Sequence, residues 1–94
     1  GLQIQTVDRR IARYFGLDKV QGVIVSEVKR SSPADRAGMR EGDIIIEANG
    51  EKVNDESSLI AIVDDQRTGG TLKLKVIRDR HEMQIVLRLE KPTP

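Results

Sequence analysis

The chain has 94 residues, no cysteine and a formal net charge of +1. That is the length of one domain held together by an aliphatic core, and it excludes a disulfide scaffold and a cysteine-ligated metal site. Nucleic-acid binding is disfavoured, because there is no basic excess and because Tyr14 and Phe15 are the only aromatic residues.

The first segment predicts a strand and then a short helix. Apolar and polar residues alternate from Leu2 to Val7, which is typical of a strand with one buried face. Asp8 can cap a helix and Gly16 can end it, and the apolar residues between them recur at helical spacing: Ile11, Ala12, Tyr14 and Phe15. Because the strand begins at the first residues, we expect the chain to be part of a longer polypeptide.

A central strand leads into a short helix. The β-branched residues of 23–28 predict a central strand, and the loop 29–31 follows it. Ser32 can cap a helix, Pro33 suits its first position, and Gly38 ends it. A helix this short needs packing against other elements to be stable.

A second strand and a tight hairpin come next. After a turn at 41–43, the apolar run Ile44–Ile46 predicts a buried strand. Asn49-Gly50 is a strong signal for a two-residue hairpin leading into 51–53.

The longest predicted helix starts from a cap at Asn54 or Asp55 and runs to about Gln66. Its apolar residues form two stripes, which are rotated by about 100° from each other: Leu59 with Ile62, and Ile60 with Val63. Two stripes indicate a helix that faces both a core and a groove. The alternative is one broad stripe that lies entirely in the core.

Two alternating strands complete the chain. After a turn at Gly69-Gly70, residues 71–77 and 83–89 alternate in polarity and are joined by a turn at 78–81. The sequence therefore predicts one domain over residues 1–90 and a disordered tail at 91–94. No apolar run approaches the roughly 20 residues that a membrane span requires.

The predicted fold class is α+β and mainly β. About six strands and two main helices in mixed order form a small, partly open barrel or sandwich with helices at its ends. Such a sheet has at least one unpaired edge, which is either blunted or used for binding.

No set of residues indicates catalysis, and we expect no cofactor. The single histidine, His81, lies in a predicted charged turn, where a solvated loop residue is the simplest interpretation. Glu41, Asp43 and Glu47 crowd one region, but turn chemistry explains Asp43 and strand exposure explains Glu47. One histidine with scattered carboxylates is weak support for a metal site.

The motif Ser32-Pro33-Ala34, Ala37-Gly38, Gly42-Asp43 and Asn49-Gly50 resembles the middle of a PDZ domain. The resemblance is to the form found in bacterial HtrA/Deg serine proteases, and the order of elements fits from 1 to 90. It implies a PDZ-like fold in the circularly permuted bacterial arrangement. It also implies a groove between a sheet edge and a helix, where the C-terminus of a ligand is added as a strand.

The resemblance places the candidate site on two elements. In this family the carboxylate-binding loop precedes the first strand, and Gly1-Leu2 matches its second half. The implied peptide-binding residues are Gly1, Leu2, Gln3, Ile4, Gln5, Ile60 and Val63. By strand alternation, Leu2 and Ile4 share one face and would line the pockets for the last ligand residue and the one two before it, whereas Gln3 and Gln5 face the other way.

The implied function is capture of hydrophobic C-termini of unfolded or cleaved proteins. The aliphatic groove positions predict a preference for a C-terminal Val, Leu or Ile, at about micromolar affinity. The implied context is protein quality control in the periplasm or cell envelope, next to the protease domain of the parent chain. The alternative is an assembly or secretion adaptor whose groove is filled by its own chain or by a neighbouring protomer.

Overall fold

The computed structural model describes residues 2–66 and 70–88. Its elements are β1 (Leu2–Thr6), α1 (Arg9–Tyr14), β2 (Val23–Val28), α2 (Pro33–Arg36), β3 (Ile44–Ala48), β4 (Glu51–Lys52), α3 (Glu56–Gln66), β5 (Thr71–Arg78) and β6 (His81–Arg88). Gly1, Gly69, the predicted strand end at Leu89, the domain boundary at 90 and the tail at 91–94 lie outside the described residues.

The described strands form one six-stranded sheet in the order β1-β2-β3-β5-β6, with β4 paired to β3. Neighbouring strands are antiparallel. This architecture confirms the predicted fold class, with α1 and α3 as the longer helices and α2 as a single turn. β1 and β6 end the sheet, so each presents an outer edge without a described strand beside it.

The central strands β2 and β3 are buried on both faces. Val23, Val25 and Ile45 face the main core together with Leu59 and Ile62 of α3. Ile24, Ile44 and Ile46 point the other way, into a smaller core under α1. This double burial explains the two uninterrupted apolar runs in the sequence.

The short helix α2 forms as its residues predict. The Ser32 hydroxyl accepts a hydrogen bond from the Asp35 amide at 3.2 Å, and Pro33 takes the first helical position. Gly38 leaves the helix in the left-handed conformation, with φ at 93°. Ala34 is buried and joins the main core, which ties this single turn to the sheet.

Two-residue turns close both hairpins. Asn49-Gly50 joins β3 to β4, as predicted, with φ at 51° and 81°. Asp79-Arg80 joins β5 to β6 with φ at 51° and 67°, and such pairs of positive φ are typical of a type I′ turn. The turn is thus shorter than predicted, and His81 is an exposed residue at the start of β6 rather than a loop residue.

Helix α1 packs only some of its apolar side chains against the sheet. Ala12 is buried, and Ile11 and Phe15 pack against the smaller core, but Tyr14 is 82% exposed. The helix has only six residues, so it presents a narrow face to the sheet, and the Tyr14 ring packs edge-on against Phe15 at 5.0 Å. None of the helices within 2–66 and 70–88 is long and apolar enough to cross a membrane.

A buried ion pair joins the start of β3 to the end of β5. Asp43 is 1% exposed, and its two carboxylate oxygens accept hydrogen bonds from Arg78 Nε at 2.7 Å and Nη2 at 2.6 Å. The same carboxylate accepts from the Arg40 amide, and Arg78 also donates to the Gly38 carbonyl. The hydrogen bond to Asp43 holds the pKa of Arg78 above its ordinary value.

Gly22, the residue before β2, lies close to the backbone of β3, and we expect Gly22→Ala to destabilise the domain. Its φ is 79°, and a Cβ at this position would lie 2.3 Å from the Ile45 carbonyl oxygen. Gly50 is a matched control, because its φ is 81° but a Cβ there would meet nothing within 4 Å. Gly50→Ala therefore costs only the left-handed strain of roughly 1–2 kcal/mol.

Gly22→Ala adds the cost of displacing a strand, roughly another 1–3 kcal/mol. Urea unfolding of the two variants beside the unmodified chain measures the difference. Equal losses would show that a Cβ at Gly22 fits beside the Ile45 carbonyl without a further cost.

Candidate functional site

An apolar groove runs between the edge strand β1 and helix α3, with α2 and the end of β6 behind it. We call it the β1–α3 groove. It has a volume of about 430 Å³, and its lining residues are Leu2, Ile4, Pro33, Ala34, Leu59, Ile60, Val63, Asp64, Leu87 and Arg88. Its size and aliphatic walls suit a few apolar side chains of a ligand.

The structure brings four of the predicted site residues together in this groove. Leu2 and Ile4 line it from β1, and Ile60 and Val63 line it from α3. Gln3 and Gln5 are exposed and alternate with the two groove residues along β1. Gly1 lies outside the described residues, and the roles of all seven residues in binding a ligand stay predictions.

Helix α3 has the two stripes that its sequence indicates. Leu59 and Ile62 are 6% and 8% exposed and belong to the main core. Ile60 is 54% exposed, although it is a large apolar residue on a helix that packs against a core. The alternative of one broad buried stripe is therefore wrong.

The sequence analysis did not name several of the residues that line the groove. Leu59 reaches the groove floor from the core, and Pro33 and Ala34 close one wall from α2. The motif Ser32-Pro33-Ala34 was a usable signal for that wall, because a small residue there leaves space. Leu87 and Arg88 gave no local signal, since only the return of β6 past α2 brings them to the groove.

The outer edge of β1 presents backbone groups to the groove. Odd-numbered residues pair inward: the Gln3 carbonyl accepts from the Ser26 hydroxyl, and the Val7 amide donates to the Gly22 carbonyl. Because N–H and C=O groups alternate in direction along a strand, those of Leu2 and Ile4 point outward. No described strand covers that edge.

Thr6 and Glu56 fasten β1 to the start of α3. The Thr6 amide donates to Glu56 Oε1 at 3.0 Å, and the Glu56 amide donates to the Thr6 hydroxyl at 3.1 Å. Both bonds are partly buried and join residues 50 positions apart. They tie β1 to α3 beyond one end of the β1–α3 groove.

Asp55 caps α3 at the same end. Its carboxylate accepts from the Ser58 amide at 2.8 Å and from the Ser58 hydroxyl at 2.7 Å. The Ser58 hydroxyl accepts in turn from the Asp55 amide at 3.3 Å. This reciprocal arrangement resembles a capping box and satisfies amides that the first helical turn leaves unpaired.

The cap predicts a pH dependence of stability. Hydrogen bonds from the Ser58 side chain and then its backbone lower the pKa of Asp55 below its ordinary value. A lowered pKa contributes stability that is complete above the unfolded-state pKa and is lost as the pH falls through the folded-state pKa. Thermal unfolding of the chain and of Asp55→Asn between about pH 6 and pH 2 tests this.

We expect the melting temperature of the unmodified chain to exceed that of Asp55→Asn at the upper end of this range. The difference should shrink as the medium becomes acidic. A difference that stays constant with pH would contradict the assignment of the charged cap to Asp55.

No arrangement for metal chemistry is found in the part of the chain that the structure describes. No group of three or more His, Cys, Asp or Glu side chains is placed there to hold an ion. The buried Asp43 is paired with Arg78, and the half-buried Glu47 is paired with Lys75 at 3.0 Å.

Comparison with known proteins identifies the family. The family model described as "PDZ domain" matches residues 1–89. The chain is 39% identical over 90 residues to a protein of Marinomonas sp. (strain MWYL1) named "Probable periplasmic serine endoprotease DegP-like". A protein of the same name from Hahella chejuensis (strain KCTC 2396) is 35% identical over 89 residues. The matches cover 96% and 95% of this chain but only 19% of each relative.

Solved structures agree with this assignment. The HtrA3 PDZ domain bound to a phage-derived ligand (FGRWV) is 28% identical, with a TM-score of 0.80 over 96% of this chain and 82% of that one. The HtrA-type protease AlgW with a decapeptide is 24% identical and shares the fold, with a TM-score of 0.83 over 100% of this chain and 29% of that one. The chain belongs to the PDZ domain family, in the form that accompanies HtrA and DegP-like proteases.

Proposed function

We propose that the chain binds hydrophobic C-termini of polypeptides as an added strand in the β1–α3 groove. The observation that carries the proposal is the open edge of β1 beside an aliphatic wall that is half exposed at Ile60. An edge with free amides and carbonyls supplies affinity through main-chain hydrogen bonds, and pockets at alternate positions supply specificity.

The aliphatic lining supports a preference for a C-terminal Val, Leu or Ile. Leu2, Ile4 and Val63 offer no polar partner for a ligand side chain, so a buried apolar residue gains most. The ligand of the HtrA3 PDZ domain ends in valine, which supports the same preference here. One or two buried side chains and two or three edge hydrogen bonds, less the cost of ordering a peptide, correspond to about micromolar affinity.

The parent protein is proposed to be a periplasmic HtrA-like serine protease, in which this domain recruits unfolded or cleaved chains to the protease domain. The names of the relatives support both the protease activity and the location. No strand within residues 2–66 and 70–88 pairs with the outer edge of β1, so these residues do not fill the groove with a strand of their own.

A library of peptides with randomised C-termini tests the proposal. We expect enrichment of peptides that end in an aliphatic residue, and much weaker binding of the same peptides with an amidated C-terminus. Equal binding of the free-acid and amidated forms would contradict recognition of the terminus. Labelling of the chain by a covalent serine-hydrolase probe would contradict a purely binding role.

A further inference from the structure

The Thr6–Glu56 pair lies where the outer edge of β1 would continue to pair with a longer ligand. The backbone N–H and C=O groups of Leu2, Ile4 and Thr6 point to the outer edge of β1, at intervals of two residues. An antiparallel ligand strand offers pairing groups at the same interval of two residues. If its last residue lies opposite Leu2, the residue two before it lies opposite Ile4, and the residue four before it lies opposite Thr6.

At Thr6, the backbone amide on the outer edge of β1 already has a hydrogen-bond partner. The Thr6 amide donates to Glu56 Oε1 at 3.0 Å, and the bond is partly buried. The second bond, from the Glu56 amide to the Thr6 hydroxyl, holds the start of α3 against β1 at the same place. A ligand would have to break the first bond to use the Thr6 amide, so the exchange would bring little net gain.

We infer that the Thr6–Glu56 pair limits the length of ligand that the domain reads to the last three residues, and that Glu56 is the residue that sets this limit. The inference rests on the proposed function of the same groove. It implies that extended C-terminal segments and very short ones bind alike when their last three residues agree. A domain with this property recognises newly cleaved ends irrespective of the sequence that precedes them.

Peptides of graded length test this inference. Acetylated free-acid peptides of three, five and eight residues share their last three residues, end in valine and carry alanine at the added positions. For the unmodified chain we expect dissociation constants that agree within about twofold across the three lengths. Isothermal titration or fluorescence anisotropy measures them.

Two variants of Glu56 separate the hydrogen bond from the rest of the side chain. Glu56→Ala frees the Thr6 amide, and we expect the peptides of five and eight residues to bind this variant roughly three- to tenfold more tightly than the tripeptide, as one added hydrogen bond predicts. Glu56→Gln keeps an oxygen that accepts the same bond and should remain insensitive to length. A thermal melt checks that both variants are folded.

The outcomes distinguish this inference from the proposed function. If the unmodified chain binds the peptide of eight residues much more tightly than the tripeptide, the length limit is wrong while C-terminal binding stands. If Glu56→Ala remains insensitive to length, the limit does not come from Glu56. If no free-acid peptide of any length binds, the proposed function and the length limit are both overturned.

Discussion

Replacing Asp43 by alanine is expected to lower the free energy of unfolding by roughly 3–5 kcal/mol, a large part of the stability of a domain of this size. The change leaves the Arg78 guanidinium, whose side chain is only 19% exposed, without its carboxylate partner. It also removes the acceptor of the Arg40 amide in the turn before β3. Removing one partner of a buried ion pair costs more free energy of unfolding than the pair itself contributes, because the other charge remains without compensation.

The Glu47–Lys75 pair is the matched control for this experiment. It also joins β3 to β5, at 3.0 Å, but its side chains are 32% and 46% exposed. Glu47→Ala should cost less than about 1 kcal/mol, because water screens the pair and hydrates the remaining lysine. Urea unfolding of both variants gives the comparison, and similar losses would show that burial of Asp43 has no special effect.

Replacing Ile60 by glutamate is expected to weaken binding of a C-terminal peptide by roughly tenfold or more, through lost apolar contact and through the cost of burying a carboxylate. The thermal stability of the domain should hardly change, because Ile60 is 54% exposed and lies outside the core. Leu2→Glu, on the opposite wall of the groove, should weaken binding in the same way. Titration of each variant with one valine-terminated peptide measures the effect.

Ala61→Glu is the matched control, since it adds the same charge to the next residue of α3, at an exposed position outside the groove lining. We expect it to bind the peptide as the unmodified chain does. Loss of a cooperative melt in Ile60→Glu would mean that Ile60 supports the core. Binding by Ile60→Glu and Leu2→Glu that equals binding by the unmodified chain would place the ligand elsewhere.

Local chemistry made most of the secondary structure predictable. Ser32, Pro33 and Gly38 determine α2 through capping and backbone conformation, and Asn49-Gly50 determines a two-residue turn. The two apolar stripes of α3 could be predicted from the sequence because a change of one position rotates a side chain by about 100° around the helix. The burial of Leu59 beside the exposure of Ile60 follows from that rotation.

Contacts between distant parts of the chain were not predictable in this way. The sequence indicated that Asp43 is an ordinary turn residue, and its carboxylate does accept a hydrogen bond from the Arg40 amide in that turn. Its main partner, Arg78, lies 35 positions away in the chain. Thr6 and Glu56 are 50 positions apart and belong to no recognisable motif. Such pairs depend on strand register and on how helices cross the sheet, which no local pattern specifies.

The candidate site was predictable only in part for the same reason. The family resemblance implied a groove that Leu2, Ile4, Ile60 and Val63 would line, and periodicity is consistent with these positions. Leu87 and Arg88 reach that groove because β6 pairs along the whole of β5 and returns past α2. Tyr14 shows the converse, since it shares the helical spacing of the other apolar residues of α1 but is exposed.

Amide hydrogen exchange at Ile4, measured by NMR with and without a valine-terminated free-acid peptide, tests strand addition in the β1–α3 groove most directly. We expect saturating peptide to slow exchange at Ile4, whose amide points outward. Exchange at Gln3 and Gln5, whose amides point inward to β2 by the same alternation along the strand, should change little. Unchanged exchange at Ile4 in a chain saturated with peptide would contradict strand addition at the outer edge of β1.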